Sequence, residues 1–357
     1  MPQSPPEQPA QQTPSTSPLR LPLILGGAGF SYQLSTTPST TDAVSILLTA
    51  FAAGIRTIDT SPYYDPSELI LGSALCDPRI TTLYQRSDYT LMTKVGRIAA
   101  DEFDYSDAWV RRSVQRSLER FHTGYLDVVF CHDVEFVSLD DAVRAVGTLL
   151  DLVHEGKVRY VGISGYKLDV LARVAARVLQ VYGQPVDVVQ TWAQLTLLNT
   201  RLETVGLSAL KAAGVRNVCA SSPLVVGLLS SKGVPVGRLG DWHPAPQGLR
   251  VQAKKAAEYV EGRGEDIASL ALRFAIRKAV ELSADDDHEM QISTISGVAS
   301  VEEIVMNIAT ARQVLGDRLD AHGRHKHERA AKLEQRDDGD CRVVREIFGE
   351  WLDHDFS

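Results

Sequence analysis

The sequence has few cysteines, and no two of them form a C-x-x-C pair. Cys76, Cys131, Cys219 and Cys341 are scattered over 357 residues. That excludes a disulfide scaffold, and no metal-ligand spacing takes its place. His322, His325 and His327 do cluster, but in a charged tail, and no metal is expected there. Cys131 and Cys219 lie in apolar runs and read as reduced core residues of a cytoplasmic protein. Positive charge is also in deficit, with 37 Lys and Arg against 45 Asp and Glu. A net charge of -8 leaves no basic face for a nucleic acid. Long apolar runs are missing too. The longest, residues 43–55, is too short and too interrupted to span a bilayer. Residues 1–20 are rich in Pro, Ser, Thr and Gln, with neither a basic start nor an apolar centre. They read as a disordered arm, not a signal peptide. No G-x-G-x-x-G opens a helix, since Gly26-Gly27-Ala28-Gly29 runs on into Phe30 and Ser31. The mark of an open dinucleotide-binding sheet is therefore absent.

What is present is a rhythm. Apolar runs at residues 21–30, 57–60, 90–95, 126–132, 160–164, 186–191, 218–224 and 292–296 alternate with helical patterns. The runs are short and continuous, as in strands covered on both faces. Helices are expected at 41–54, 67–75, 106–122, 138–155, 167–182, 200–213, 249–261, 266–277 and 301–314. Such alternation favours a parallel sheet, and eight repeats favour closure into an α/β (β/α)8 TIM barrel. The expected organisation is an arm at 1–20, a barrel at 21–315, and a tail at 316–357. In the tail, apolar spacing over 343–356 predicts a helix docked on the barrel. Two segments interrupt the rhythm. Residues 230–248 form a long Gly- and Pro-rich loop, a candidate lid, and residues 284–289 an acidic insertion.

Three successive strand ends carry complementary groups. Asp59 closes the second strand, Lys94 the third and His132 the fourth, and Tyr64 follows Asp59 by five residues. A phenol with a pKa of about 10 is a poor acid or base at neutral pH unless a nearby cation lowers it. Lys94 is the cation available. Taken singly, each could be a polar cap for the next helix; together they suggest a site at the C-terminal end of a barrel.

The order Asp59, Tyr64, Lys94, His132, within Asp59-Thr60-Ser61-Pro62-Tyr63-Tyr64, Ser67-Glu68 and Leu71-Gly72, resembles the aldo-keto reductase superfamily over residues 21–315. The resemblance implies hydride transfer between a nicotinamide and a carbonyl or alcohol carbon. In it Tyr64 is the general acid or base, Lys94 lowers its pKa and Asp59 holds Lys94. His132 orients the substrate oxygen. Tyr63 is the rival phenol, and the five-residue spacing favours Tyr64.

The same resemblance implies cofactor contacts at Gly27, Ser164, Gln190, Ser222, Pro223, Leu224, Gly227, Leu229, Gly297, Glu303 and Asn307. Two positions depart from the family pattern: Gly165 stands where an Asn is usual, and Ser221 where an aromatic often stacks. Glu303 takes the place of a basic residue that meets the 2′-phosphate of NADP, so NAD is the expected cofactor and NADP the less favoured. The alternative for Glu303 is a first-turn carboxylate on its helix dipole. Cys131-His132-Asp133-Val134-Glu135-Phe136, with Gly162-Ile163-Ser164-Gly165 and Ala220-Ser221-Ser222-Pro223-Leu224, resembles NAD-linked sugar 1-dehydrogenases. These include the D-arabinose and L-galactose types, which make the lactone toward ascorbate-type products. Asp133 and Glu135 are then candidate partners of sugar hydroxyls, with helix capping the equal alternative. The expected partner is a small aldose or carbonyl substrate, with no nucleic acid and no membrane, and a monomer or homodimer. Two other readings stay open: a general aldehyde or ketone reductase, and a non-catalytic nucleotide-binding regulatory subunit.

Overall fold

The computed structural model describes Leu19 and residues 22–284, 290–317, 319 and 328–356. The N-terminal arm apart from Leu19, most of the acidic insertion, and His322, His325 and His327 lie outside the described residues. Eight strands make one closed, all-parallel barrel: β1 Leu23–Gly26, β2 Thr57–Asp59, β3 Thr90–Val95, β4 Leu126–Cys131, β5 Val158–Gly165, β6 Val188–Trp192, β7 Asn217–Ser221 and β8 Gln291–Gly297. β8 pairs back onto β1, with Leu23 opposite Thr294 and Gly26 opposite Gly297. This is the (β/α)8 fold that the alternation predicted.

Helices α1 Ala43–Ala52, α2 Ser67–Leu75, α3 Pro78–Thr81, α4 Asp107–Arg120, α5 Leu139–His154, α6 Leu168–Tyr182, α7 Leu207–Ala212, α8 Gln247–Gly262, α9 Ile267–Ala284 and α10 Val301–Leu315 cover the barrel. Several starts follow from their caps. The Asp42 carboxylate accepts from Ser45 N–H, and the hydroxyls of Ser106 and Ser138 accept from Trp109 and Asp141. Helix α6 stops where Gly183 turns left-handed. The helix expected over 200–213 is distorted. Its first part, Leu202–Gly206, is a π-turn, and only Leu207–Ala212 is α-helical.

The tail differs from expectation. Its helix, α11 Glu328–Phe348, begins earlier and ends earlier than the apolar spacing suggested. It runs through charged sequence because buried Asp337 takes Arg273 and Arg277, and buried Asp340 takes Arg263. It ends at Gly349, which adopts φ 53. The chain then passes Trp351 and returns over the β6 loop. There Asp353 Oδ1 accepts from Thr200 N–H, and Asn199 donates to the carbonyl of His354.

Inside the barrel sits a separate apolar cluster of Leu19, Ile24, Met92, Val128, Phe130, Val188, Cys219 and Ile295. Gly162 belongs to this packing. A methyl group there would meet the Phe130 ring and, at 2.8 Å, the carbonyl of Val188. Gly162→Ala should therefore cost about 1–3 kcal/mol by overpacking. Denaturant unfolding checks this, and an unchanged midpoint would refute it.

Candidate active site

Strand alternation decides what faces the mouth. Met92, Phe130, Val188 and Cys219 fill the interior, so the residues two positions on project the same way, one layer higher. These are Lys94, His132, Gln190 and Ser221, all buried. Asp59 joins the layer from the end of β2.

The Lys94 ammonium donates to Asp59 Oδ1 at 2.7 Å, Asp59 Oδ2 at 2.9 Å and the Thr60 carbonyl at 2.9 Å. Its three protons are thereby used. Gln190 Nε2 adds a bond to Asp59 Oδ2 at 3.3 Å. Burial raises the Asp59 carboxyl, and Lys94 pulls it back.

Tyr64 stands in the turn after β2, with its ring centroid 5.2 Å from Lys94 Nζ. Part of the side chain still meets solvent. Desolvation nevertheless lifts the phenol well above the ordinary tyrosine range, and the Asp59 carboxylate pushes the same way. Here the structure differs from the expectation that Lys94 lowers this pKa. Lys94 meets the face of the ring, and its protons go to Asp59 and Thr60. Tyr63 turns elsewhere: the Arg97 guanidinium lies 4.2 Å from its ring centroid. The structure thus pairs Tyr64 with Lys94 and Tyr63 with Arg97.

His132 lies within reach of both rings, at centroid distances of 5.8 Å to Tyr64 and 5.9 Å to Tyr63. Its N–H is held by the Val95 carbonyl, and its own carbonyl accepts from the Tyr105 hydroxyl. Burial drives its pKa well down, and the charges of Lys94 and Arg97 add to this, so the ring is neutral. Its Nδ1 lies 3.2 Å from Ser61 Oγ, which already accepts from Tyr63 N–H. Donation of the Ser61 proton to Nδ1 leaves the ring proton on Nε2.

The residues expected to hold a cofactor line the other half of the mouth, from β5 round to β8 and on to β1. Ser164 Oγ accepts from Asp133 N–H at 3.3 Å, and its own proton remains to donate. Gln190 Oε1 is buried without a hydrogen-bond partner, an acceptor that a carboxamide N–H would satisfy. After β7, Ser222, Val225 and Val226 all take positive φ, followed by Gly227 at φ 85. Pro223, Leu224 and Leu229 complete this tight turn, closed by Leu229 N–H on the Leu224 carbonyl. The 230–248 loop is tied to it. His243 Nε2 lies 2.8 Å from the Val225 carbonyl, while Nδ1 accepts from Ala245 N–H. Gly297 is exposed with open space above it, and Gly27 lies tight against Asp59 and Thr60. Glu303 is exposed; its Oε2 accepts from Ala299 N–H, and Ser300 Oγ accepts from Glu303 N–H. That is a capping arrangement. Asn307 donates to Ser296 Oγ. Together, these residues provide donors, an orphaned acceptor and open backbone that fit a nicotinamide dinucleotide.

Comparison with known proteins agrees with this geometry. The profile of the Aldo/keto reductase family matches residues 22–318. The chain belongs to this family. It is 38% identical to the D-arabinose 1-dehydrogenase of Saccharomyces cerevisiae over 285 residues, covering 79% of this chain and 80% of that one. It is 36% identical to the L-galactose dehydrogenase of Arabidopsis thaliana over 276 residues, covering 76% and 79%. The solved aldo-keto reductase AKR11C1 from Bacillus halodurans, in its holo form, superposes with a TM-score of 0.62 at 20% identity. Each chain is 94% covered, which shows the shared fold. The chain is thus an oxidoreductase of the aldo-keto reductase type, and enzymes of this family use nicotinamide cofactors.

Sequence reading did not single out Ser61, Arg97 or the aromatic wall of Tyr166 and Trp192 beside Phe136. Ser61 lay inside the quoted motif, and Arg97 three residues beyond Lys94. Their roles come from bonds that pattern does not display.

The buried pair makes a prediction. Lys94→Met leaves Asp59 buried and unpaired, and should cost about 3–5 kcal/mol. Asp59→Leu added to Lys94→Met should restore most of that stability without restoring turnover. Thermal unfolding of the two variants checks this. Equal stability of Lys94→Met and the parent would show that the pair contributes little.

Proposed function

We propose that this enzyme oxidises the anomeric carbon of an aldose, of the D-arabinose or L-galactose type, to the lactone, with NAD preferred over NADP. The observation that carries the reading is the buried cluster of Asp59, Lys94, Tyr64 and His132 opposite the orphaned acceptor of Gln190. The similarity to two sugar 1-dehydrogenases supplies the substrate class.

A bound nicotinamide supplies the hydride acceptor. The chain's own residues do the rest. His132 Nε2–H donates to the oxygen of the anomeric hydroxyl and fixes its direction. Tyr64 Oη takes the hydroxyl proton as the C–H bond breaks. Lys94 lies against the face of the Tyr64 ring, and Asp59 keeps it in place. Gln190 Oε1 and the Ser164 hydroxyl would hold the carboxamide of the nicotinamide and so orient it toward the substrate.

The raised Tyr64 pKa gives a sign. The base form is the minority species at neutral pH, so kcat/KM for oxidation should climb about tenfold per pH unit into the alkaline range. Tyr64→Phe should lower kcat by at least about a hundredfold, remove this slope, and leave cofactor binding nearly unchanged. Aldose oxidation, followed by the absorbance of reduced nicotinamide over a pH series, tests both points. Activity within tenfold of the parent would move the acid–base role to Tyr63.

The NAD preference rests on Glu303. A 2′-phosphate beside this exposed carboxylate should lose about 1–2 kcal/mol after screening, roughly ten- to thirtyfold in affinity. Glu303→Arg should narrow or reverse the preference through a charge-assisted contact. The measurement is kcat/KM with both cofactors. A parent that already favours NADP would overturn this assignment.

A further inference from the structure

Asp133 is a buried carboxylate beside the reacting centre to which the proposed chemistry gives no task. It follows His132 directly and holds φ 59, a left-handed conformation that non-glycine residues adopt at a cost. It sits where an N-cap would sit, yet its side chain caps nothing. Glu135, two residues on, is engaged elsewhere: its Oε1 accepts from Tyr166 N–H ahead of α6. The Asp133 backbone is fixed by its N–H on Ser164 Oγ. Its Oδ2 accepts from Arg97 and lies 3.5 Å from His132 Nε2. Its Oδ1 has no hydrogen-bond partner among the described residues. Arg97 is itself held on the carbonyls of Ala99 and Ala100.

The proposed reaction locates the ligand this carboxylate would take. With His132 Nε2 directing the reacting oxygen, that oxygen would lie about 3 Å from the same nitrogen that Asp133 Oδ2 approaches. Vicinal oxygens of a sugar lie about one hydrogen-bond length apart. The hydroxyl on the next carbon therefore falls within reach of Asp133. The wall around it suits such a ligand. Tyr63 lies under Arg97, Phe103 stacks on Phe136 at 5.1 Å, and Tyr166 and Trp192 continue the row at 5.2 Å. Aromatic faces with a few fixed polar groups take the C–H faces and the hydroxyls of a polyol separately.

We infer that Asp133, fixed by Arg97, is a specificity residue that accepts the hydroxyl on the carbon next to the reacting one. The pocket thereby selects α-hydroxylated substrates over their deoxy counterparts. This rests on the proposed aldose oxidation. A deoxy substrate leaves Asp133 Oδ1 without a donor while Oδ2 stays on Arg97, and a site that bonds a substrate hydroxyl rejects an analogue lacking it.

The test is kcat and KM for one aldose and its 2-deoxy counterpart, at saturating NAD, in the parent and in Asp133→Asn. Asn tolerates the left-handed backbone and keeps the shape of the side chain. The parent is expected to prefer the hydroxylated sugar by roughly tenfold to a hundredfold in kcat/KM. Asp133→Asn is expected to bring that ratio to within about threefold while the affinity for NAD stays the same. A parent that handles the two sugars alike overturns the inference without any variant. So does an Asp133→Asn enzyme that loses equally on both, since the carboxylate would then act only through His132. A parent that oxidises no aldose with either cofactor overturns this inference and the functional reading beneath it. Turnover with no discrimination overturns the inference alone.

Discussion

An ammonium and a carboxylate held out of water at the end of a barrel set the terms for everything near them. Lys94 and Asp59 are nearly inaccessible to solvent, and each would be costly to bury alone. Their stability there depends on geometry that only the closed barrel supplies. β2 and β3 run side by side in fixed register, with Asp59 opposite Met92 and Lys94 one layer above. The Thr60 carbonyl takes the third proton, and Gln190 reaches across from β6 to share Asp59. Burial is the main reason that the His132 pKa falls and the Tyr64 pKa rises, and the pair adds to both, Lys94 on His132 and Asp59 on Tyr64.

The mouth divides cleanly along the order of the chain. Strands β2 to β4 carry the ionisable groups, and β5 to β8 carry amides, hydroxyls, glycines and left-handed backbone. Gln190 bridges the halves from β6, with its nitrogen on Asp59 and its oxygen without a hydrogen-bond partner. A cofactor bound on the second half would thereby be in hydrogen-bond register with the charges of the first.

Much of this was legible in the sequence because period-two alternation and strand ends are local signals. The eight strands and the placement of Asp59, Lys94 and His132 needed nothing more. The less legible features depend on distant partners. Arg97 and Asp133 are far apart in sequence and meet only through the closure of β3 on β4. The earlier part of helix α11 looked like a charged stretch because two of the helix's buried positions are aspartates, Asp337 and Asp340, which Arg263, Arg273 and Arg277 help to make buriable. Glu303 carried two readings at once. The structure shows its exposed side chain accepting from Ala299 N–H at the start of α10. Tyr64 shows that proximity in sequence does not fix an electrostatic effect. Lys94 is near, but it presents itself to the ring face and keeps its protons for Asp59.

The layering of the barrel interior has a consequence for how this protein can change. Each polar residue at the mouth stands on an apolar one two positions below: Lys94 on Met92, His132 on Phe130, Gln190 on Val188, Ser221 on Cys219. The lower layer is close-packed down to Gly162, which has no room for a methyl group. A substitution there is transmitted upward as a displacement of the charged layer. Stability and chemistry are therefore not separable traits in this barrel. Variation that improves packing near the axis is also tested on catalysis, which leaves the solvent faces of the outer helices, away from the mouth, as the ground where the sequence can change most readily.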